Sequence, residues 1–206
     1  MPGRKAPEDE RREAILRAAY AVAAREGLAG LTGRAVAARA GVSSGLVFFH
    51  FASRDALLAA LLDWLLEHTL VAGELPAHLA WGSTAAERML AVVRRDLEAL
   101  PRTRARVELF FDFWVRGTRD PIVRDKIRAA LERYRHAYLP LARAVIAESP
   151  RRFAETTAEG LATVAATFVE GCALRAVLDP AAFDVDASFA ALVALLRHSG
   201  VDAPAR

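Results

Sequence analysis

The stretch Thr32–Phe51 reads TGRAVAARAGVSSGLVFFHF, and its small and apolar residues are spaced as two short helices across a tight turn require. Thr32 is placed to accept a hydrogen bond from an unpaired amide at the start of the first helix. Gly41 follows where the chain must turn, because a residue without a Cβ reaches left-handed backbone angles at little steric cost. Ser43 is placed to cap the second helix, which we expect from Ser44 to about His50. The stretch therefore predicts a helix-turn-helix.

The apolar residues of this stretch predict how its two helices pack. Val36, Ala37 and Ala40 fall on one face of the first helix, and Val47 of the second helix is expected to face them. The exposed amino-terminal end of the second helix then carries Ser44, Gly45 and Leu46. In helix-turn-helix proteins this end enters the major groove of DNA. An ordinary helical hairpin inside a globular core is the alternative interpretation.

The flanking segments favour the DNA-binding interpretation. Upstream, 8–25 predicts a charged helix with one apolar face, which Gly27 ends. Downstream, Ser53 is placed to cap an apolar helix that begins at Ala56, and Asp55 lies in its first turn, where a negative charge suits the helix dipole. Three helices and a fourth that leaves the module make a complete DNA-reading head.

At this point the sequence resembles the TetR (tetracycline-repressor) family of transcription regulators. The family pattern has a threonine-started helix, Ala-Gly-Val-Ser, a glycine, an aromatic cluster that ends in Phe, and a Ser-Lys/Arg-acid-x-Leu start to helix four. The match covers about the first quarter of the chain without gaps. It is carried by Thr32, Arg34, Val36, Ala37, Ala40, Gly41, Val42, Ser43, Gly45, Phe48, Phe49, His50, Phe51, Ser53, Arg54, Asp55 and Leu57.

The resemblance implies that this head binds double-stranded DNA. The residues expected to contact it are Thr32, Arg34, Ser43, Ser44, Gly45, Leu46, Phe48, Phe49, His50 and Arg54. One departure matters, because family members often carry tyrosine where this chain has Phe48 or Phe49, and only a tyrosine hydroxyl can bond a phosphate oxygen. These two residues therefore keep a second hypothesis open, a small-molecule-binding helical protein with a weakened or vestigial DNA-binding head.

The charge of the chain is concentrated in the predicted head. Residues 1–54 hold nine Lys and Arg against five Asp and Glu, a net of +4, whereas the remainder holds nineteen against twenty, a net of −1. A basic face supplies the salt-dependent part of DNA affinity. The four arginines of the first helix are either a solvated surface or phosphate contacts, and the tail 1–7 is either disordered or a minor-groove arm.

Length and composition predict two domains. A chain of 206 residues with 54% hydrophobic content can bury a large core. We expect a helix-turn-helix DNA-binding domain at 1–55 and a helical ligand-binding and dimerisation domain at 56–206. No apolar run approaches the ~20 residues that span a bilayer, and the first residues show no secretory signal, so no membrane association and a cytoplasmic location are expected. One cysteine excludes an intramolecular disulfide.

The second domain shows helical periodicity with caps and stops, and almost no strand pattern, so the fold class is all-α. Helix four is expected to reach about residue 71. The later helices are expected from a capping box at Thr84 to Leu100 before Pro101, from Thr103 to Arg116, from Asp120-Pro121 to Glu148 with a kink at Pro140, from about Phe153 to Leu178, and from about Asp186 to His198.

The carboxy-terminal region is similar to the BetI-type members of the TetR family. The similarity is carried by FDFW at 111–114 and EGCALRAVLDP at 170–180. It implies the fold and a homodimer held by the last two helices, but no particular ligand. The expected dimer residues are Phe183, Phe189, Leu192, Val193 and Leu196, with Leu195 in the same apolar row. Burial of this row against the chain's own core is the alternative.

A pocket in the helical domain is expected to hold a small-molecule effector. Its candidate lining residues are Phe111, Trp114, Tyr134, Tyr138, Phe168 and Cys172, and ordinary core packing is the alternative for each. The acidic residues Glu108, Asp112 and Glu170 are candidates to meet a cationic ligand. The five histidines show no common ligand spacing, and no phosphate-binding glycine loop or catalytic triad stands out. We therefore expect no metal, no cofactor and no enzymatic activity.

These features predict a ligand-responsive transcriptional repressor. A homodimer would place 44–50 of each subunit in successive major grooves of a palindromic operator. A small molecule that binds one conformation better would tilt helix four and release the DNA.

Overall fold

In a computed structural model, residues 8–69 and 84–197 are described, and within these ranges the chain forms eight helices and no strand. The helices are α1 (Glu8–Gly30), α2 (Gly33–Ala40), α3 (Ser44–His50), α4 (Arg54–Thr69), α5 (Ala85–Gly117), α6 (Pro121–Glu148), α7 (Ala158–Leu178) and α8 (Val185–Arg197). The all-α class predicted from the sequence is confirmed. The tail 1–7, the expected end of α4 near residue 71, and His198 lie outside the described residues.

The helix-turn-helix forms as its capping residues predict. The Thr32 hydroxyl accepts a hydrogen bond from the Ala35 amide at 3.1 Å, and the Ser43 hydroxyl accepts one from the Leu46 amide at 3.2 Å. Gly41, between them, has left-handed angles of φ 68° and ψ 31°. A residue with a Cβ would be strained there. Two short helices are thus held at a defined turn by groups that are local in the sequence.

Gly27 interrupts α1, as predicted, because its φ of 69° and ψ of 178° are not helical. The chain then resumes a short helical turn to Gly30 before α2 begins. Helix α4 begins at Arg54, earlier than the Ala56 expected from the sequence, because the Ser53 hydroxyl caps it by accepting a hydrogen bond from the Ala56 amide at 3.1 Å. These breaks and caps set where each helix of the head starts.

The described residues form two compact units. The first contains residues 8–69 and 105–131, and the second contains 84–104 and 132–197. In the first unit α1 to α4 share one apolar core with the last part of α5 and the first part of α6. In the second unit the core is built from the first part of α5, the rest of α6, and α7. The predicted functional boundary between residues 55 and 56 stays a prediction.

The expected helix break at Pro101 is wrong, because α5 runs without interruption from Ala85 to Gly117. A proline inside a helix costs about 3 kcal/mol. Here residues on both sides of Pro101 are buried, among them Leu97, Leu100 and Val107. Packing of these residues favours the helical path on both sides of the proline. The tertiary contacts therefore override the local stop signal.

The expected start of α7 at Phe153 is also wrong. Residues 150–155 form a turn, and α7 begins at Ala158, where the Thr157 hydroxyl accepts a hydrogen bond from the Gly160 amide at 3.0 Å. A good N-cap at Thr157 competes successfully with an earlier start. By contrast α6 begins at Pro121 as predicted, because the Asp120 carboxylate accepts from the second and third amides of the helix. Pro140 lies inside α6, and the kink expected there stays a prediction.

Candidate functional site

Helix α3, which the sequence predicts to enter the DNA major groove, is anchored by one face and exposed on the other. Val47 is 1% exposed and belongs to the same core as Val36 and Ala37. Gly45 and Phe49, one helical turn apart, lie on the opposite face, and the Phe49 ring is 74% exposed. The predicted DNA-contacting face of α3 is therefore open to a partner.

Phe48 is held differently from Phe49. Its ring is 52% exposed and lies against Gly33 at the start of α2, where an added Cβ would come within 3.1 Å of the ring Cζ. The ring thus covers the first turn of α2. His50 is half-buried, and its ring meets Phe49 edge-on with centroids 5.3 Å apart.

The two capping hydroxyls can still donate hydrogen bonds to DNA phosphates. Thr32 and Ser43 accept amide hydrogen bonds, and each retains its own O–H proton, which can be donated to a phosphate oxygen. Both residues are exposed, as are Arg34 and Gly45, whereas Ser44 and Leu46 are half-buried. These positions are compatible with the predicted contacts, which stay predictions.

Arg54 has a structural partner within the head. Its Nε donates to the Leu31 carbonyl at 2.9 Å and its Nη2 donates to the Leu28 carbonyl at 2.7 Å. The guanidinium therefore ties the start of α4 to the segment between α1 and α2. The phosphate contact predicted for Arg54 stays a prediction, beside this structural role.

Tyr134 and Tyr138, two of the predicted ligand residues, meet at a carboxylate in the second unit. Their hydroxyls donate to the same oxygen of Asp96, at 2.7 Å and 2.6 Å, and their rings lie edge to face with centroids 5.5 Å apart. The other Asp96 oxygen accepts from Arg95 Nη2 at 2.6 Å. Burial raises the pKa of Tyr134 and Tyr138 far above the ordinary value, and the neighbouring Asp96 adds to both shifts. Both phenols therefore stay protonated and donate.

Sequence reasoning missed Asp96, although α5 contains a signal for it. Its apolar stripe repeats at helical spacing through Val92, Val93, Leu97 and Leu100, all of them buried. Asp96 falls within that stripe, and its side chain is only 10% exposed. An acidic residue on an otherwise apolar face requires hydrogen-bond donors from another element. The sequence does not say which element supplies them.

Phe168 and Cys172 are brought together elsewhere in the second unit. They line a cavity of about 440 Å³ between α7 and the start of α8, with Arg175, Phe183 and Ser188 among the other lining residues. Burial raises the pKa of the Cys172 thiol, which makes it a weaker nucleophile at neutral pH. The cavity joins two predicted ligand residues to Phe183, which was predicted to lie in the dimer interface.

Phe111 and Trp114, the last two of the six predicted lining residues, lie in the first unit. Phe111 is half-buried against that unit's core, with its ring edge-on to Phe110, and Trp114 is 50% exposed. Burial raises the pKa of Asp112, and the charge of Glu108 adds to the shift. Burial alone raises the pKa of Glu170, which lies in the second unit. The six predicted ligand residues are therefore divided between the two units.

The helices α7 and α8 leave apolar side chains exposed. On α7 the exposed face contains Val164, Leu174 and Leu178, of which Leu178 is 74% exposed, and on α8 Leu195 is 72% exposed. The predicted dimer residues Phe183, Phe189, Leu192, Val193 and Leu196 are half-buried by their own chain. The sequence predicted that both of the last two helices form the interface, but it indicated no particular residues of α7, because an evenly apolar helix does not show which face is buried.

Residues 8–69 and 84–197 contain no group of three or more His, Cys, Asp or Glu side chains placed to hold a metal ion. Among the helices in these ranges, α7 is long and apolar enough to cross a membrane by itself, and 33% of its apolar stretch is buried. One such helix is weak evidence of a span, since apolar helices that pack inside proteins meet the same criteria.

Two protein-family models match the chain. One, described as bacterial regulatory proteins of the tetR family, matches residues 15–61, which contain the helix-turn-helix. The other, described as the carboxy-terminal part of a BetI-type transcriptional repressor, matches residues 85–199. The second match alone covers more than half of the chain.

Individual proteins agree with these matches. The HTH-type transcriptional regulator BetI of Cronobacter sakazakii is 31% identical over 155 residues, which are 73% of this chain and 71% of that protein. A putative transcriptional regulator from Saccharomonospora viridis, solved in complex with choline, has the same fold, with a TM-score of 0.71 at 21% identity over 93% of this chain and 97% of that one. The multidrug binding protein EbrR complexed with ethidium has a TM-score of 0.65 at 26% identity, over 92% of this chain and 98% of that one.

Proposed function

The chain belongs to the TetR family of transcription regulators, with a BetI-type carboxy-terminal domain, and on this premise we propose that it is a ligand-responsive repressor that binds a palindromic operator as a homodimer. The observation that carries the proposal is the outward face of α3, fixed from behind by Val47 and by the capped turn at Gly41. A short helix held in this way can enter a major groove without losing its geometry.

We propose that DNA affinity comes mainly from the positive charge and the exposed hydroxyls of the head. Arg34, near the start of α2, is exposed, as are the Thr32 and Ser43 hydroxyls. Phosphate contacts from such groups position the head, while contacts from α3 select the sequence. Phe48 and Phe49 cannot bond phosphate, so the other groups must supply the salt-dependent affinity.

A test of the DNA-binding proposal is the salt dependence of affinity for a duplex selected by the full-length protein from a random library. Each phosphate neutralised should contribute roughly 0.9 to the slope of log affinity against log salt. Arg34→Ala should reduce the slope by about one. Arg128→Ala is the matched control, because Arg128 is an exposed arginine of α6 that pairs with Asp125, and it should leave the slope unchanged.

A different result would favour the alternative of a vestigial DNA-binding head. Weak binding with a shallow slope, and no sequence enriched by selection, would overturn the repressor proposal. It would leave a small-molecule-binding helical protein as the better account.

We propose that the second unit pairs with its twin through the exposed faces of α7 and α8. Gly171 lies in the middle of the α7 face, and an added Cβ there would meet nothing within 4 Å. A glycine at this position lets a partner helix approach closely, at a cost of about 1 kcal/mol in helix propensity. Leu174, Leu178 and Leu195 would then be covered.

Leu178→Glu should shift the protein toward monomer in sedimentation, while Ile122→Glu, on an exposed site of α6, should not.

We propose an organic cation as the effector. Ethidium, bound by the related EbrR, is a cation, and the second unit contains two buried phenol rings hydrogen-bonded to Asp96. Aromatic rings beside a carboxylate are surroundings that attract cations, and a ligand would have to displace part of this packing to reach them. Glu170, a carboxylate whose pKa is raised by burial, would gain from a bound positive charge. The cavity beside Phe168 is lined by both Arg175 and Asp184, so its charges do not by themselves favour a cation.

The ligand proposal is tested by titrating the protein–DNA complex with ethidium and with choline. Either cation should weaken the DNA complex of the unmodified protein, and Tyr134→Phe should leave the response smaller. A neutral solute of similar size is the control and should not act. If both cations leave the DNA complex unchanged and calorimetry detects no binding of either, the proposal of an organic-cation effector is overturned.

A further inference from the structure

The outward face of α3 lacks hydrogen-bonding side chains in its middle. Of the seven residues of α3 only Ser44 and His50 carry them, and these stand at its two ends. The residues opposite the buried Val47 are Gly45 and Phe49. A base edge that faces the centre of this helix therefore meets an aromatic ring and backbone, with no side-chain donor or acceptor.

The Phe49 ring is available for contact. It is the more exposed of the two phenylalanines of α3, and its neighbour on the same face, Gly45, leaves open space beside it. An added Cβ at Gly45 would meet only the Ser43 hydroxyl, at 3.9 Å. Phe48, in contrast, is turned onto Gly33 at the start of α2. The ring of Phe49 and the gap at Gly45 together form a shallow apolar reading surface.

We infer that this protein selects its DNA sequence through contact of Phe49 with the 5-methyl groups of thymine in the major groove. The inference rests on the proposed function as a DNA-binding regulator. In the major groove, thymine alone among the four bases presents an apolar methyl group, and phenylalanine is one of the side chains that contacts it. The substitution of phenylalanine for the tyrosine common in the family thus exchanges a phosphate contact for base readout.

The test begins with a duplex selected from a random library by the full-length protein. Each thymine of the selected half-site is then replaced by deoxyuracil, which removes the methyl group and keeps every hydrogen bond of the base. Burial of one such group corresponds to about a fourfold change in Kd. We expect replacement at one position to raise Kd about fourfold per half-site, or roughly sixteenfold when both half-sites are changed.

Phe49→Ala supplies the second half of a double-mutant cycle. This variant should bind the thymine duplex more weakly by a similar factor and should show no further loss with deoxyuracil at the sensitive position. Because the ring is exposed, its melting temperature should match that of the unmodified protein. Ile122→Ala is the matched control, since it also removes an exposed apolar side chain of the first unit. It should retain the full sensitivity to deoxyuracil.

Failure of the thymine inference can be distinguished from failure of the regulator proposal. If a sequence is selected but deoxyuracil has no effect at any position, or if its effect persists in full in Phe49→Ala, the thymine inference is overturned and the regulator proposal stands. If no sequence is enriched at all, the proposed function itself fails.

Discussion

The cores of the two units differ in what holds them together. In the first unit the buried side chains of the described residues are apolar, from Ile15 in α1 to Ala130 in α6. In the second unit Tyr134 and Tyr138 are buried against the Asp96 carboxylate, at hydrogen-bond distance from it. An apolar core is specified by volume and spacing, whereas a polar cluster requires every donor and acceptor to be placed correctly. The comparison explains why the helices of the head could be predicted from periodicity, whereas the Asp96 cluster of the second unit could not.

The largest effect is expected from a carboxylate introduced where the core is apolar. Val47→Asp would bury a charge behind α3 with no donor placed to receive it, at a cost above about 4 kcal/mol. We expect loss of DNA binding and of the head's cooperative unfolding transition, followed by circular dichroism. Val47→Ile should cost less than about 1.5 kcal/mol. Retention of DNA binding by Val47→Asp would contradict the placement of this residue in the core.

The reverse experiment removes the carboxylate from the second unit. Asp96→Leu deprives two buried phenols of their acceptor, and we expect it to lower the free energy of unfolding by about 2–3 kcal/mol. The triple variant Asp96→Leu, Tyr134→Phe, Tyr138→Phe removes both sides of the interaction and should recover most of that loss. Chemical denaturation measures both. Equal stability of the single and triple variants would show that the cluster is not a hydrogen-bonded unit.

A smaller effect is expected at the left-handed turn between α2 and α3. Gly41→Ala places a Cβ at φ 68° and should destabilise the protein by about 1 kcal/mol. Gly45→Ala is the matched change on a helical glycine with room for a Cβ, and it should be neutral or stabilising by a few tenths of a kcal/mol, about the gain in helix propensity near a helix end. Thermal melting distinguishes the two. Equal effects would show that the left-handed turn carries no special constraint.

The smallest effect contrasts two carboxylates of the second unit. Burial raises the pKa of Glu170 above its usual value of 4.5, so ionisation disfavours the folded state, and the resulting penalty develops as pH rises through and above that value. Glu170→Gln should therefore be more stable at pH 7, by less than about 0.5 kcal/mol because solvent screens a half-exposed group. The difference in stability between Glu170→Gln and the unmodified protein should vanish below about pH 4. Asp96→Asn should have the opposite sign at pH 7, since Asp96 accepts hydrogen bonds from Tyr134, Tyr138 and Arg95.

The sequence-based predictions were correct where the interactions join residues close together in the chain, and less accurate where they join distant ones. The caps at Thr32, Ser43 and Asp120 bond amides two or three residues away, so a short motif contains all the information. The break expected at Pro101 and the start expected at Phe153 were wrong, because burial on both sides of the proline and a competing cap at Thr157 decided the helix ends. Local signals compete, and the sequence does not state which one prevails.

The candidate sites follow the same rule. Tyr134 and Tyr138 were predicted as ligand residues because a buried phenol needs a polar partner, but the partner that they share, Asp96, lies 38 residues before Tyr134 in the chain. The exposed leucines of α7 were missed because an evenly apolar helix shows no preferred face. In each case the missing information was which residues of another helix come close.

By itself the sequence determined the helical class, the helix-turn-helix from Thr32 to Phe51 and the family, because capping, turn and periodicity are properties of neighbouring residues. The tertiary structure alone decided that Phe49 faces outward while Phe48 covers Gly33, that Arg54 is tied to the carbonyls of Leu28 and Leu31, and that a carboxylate of α5 receives the phenols of α6. These are contacts between segments distant in the chain, and their geometry is set by how whole helices pack, which no local pattern encodes.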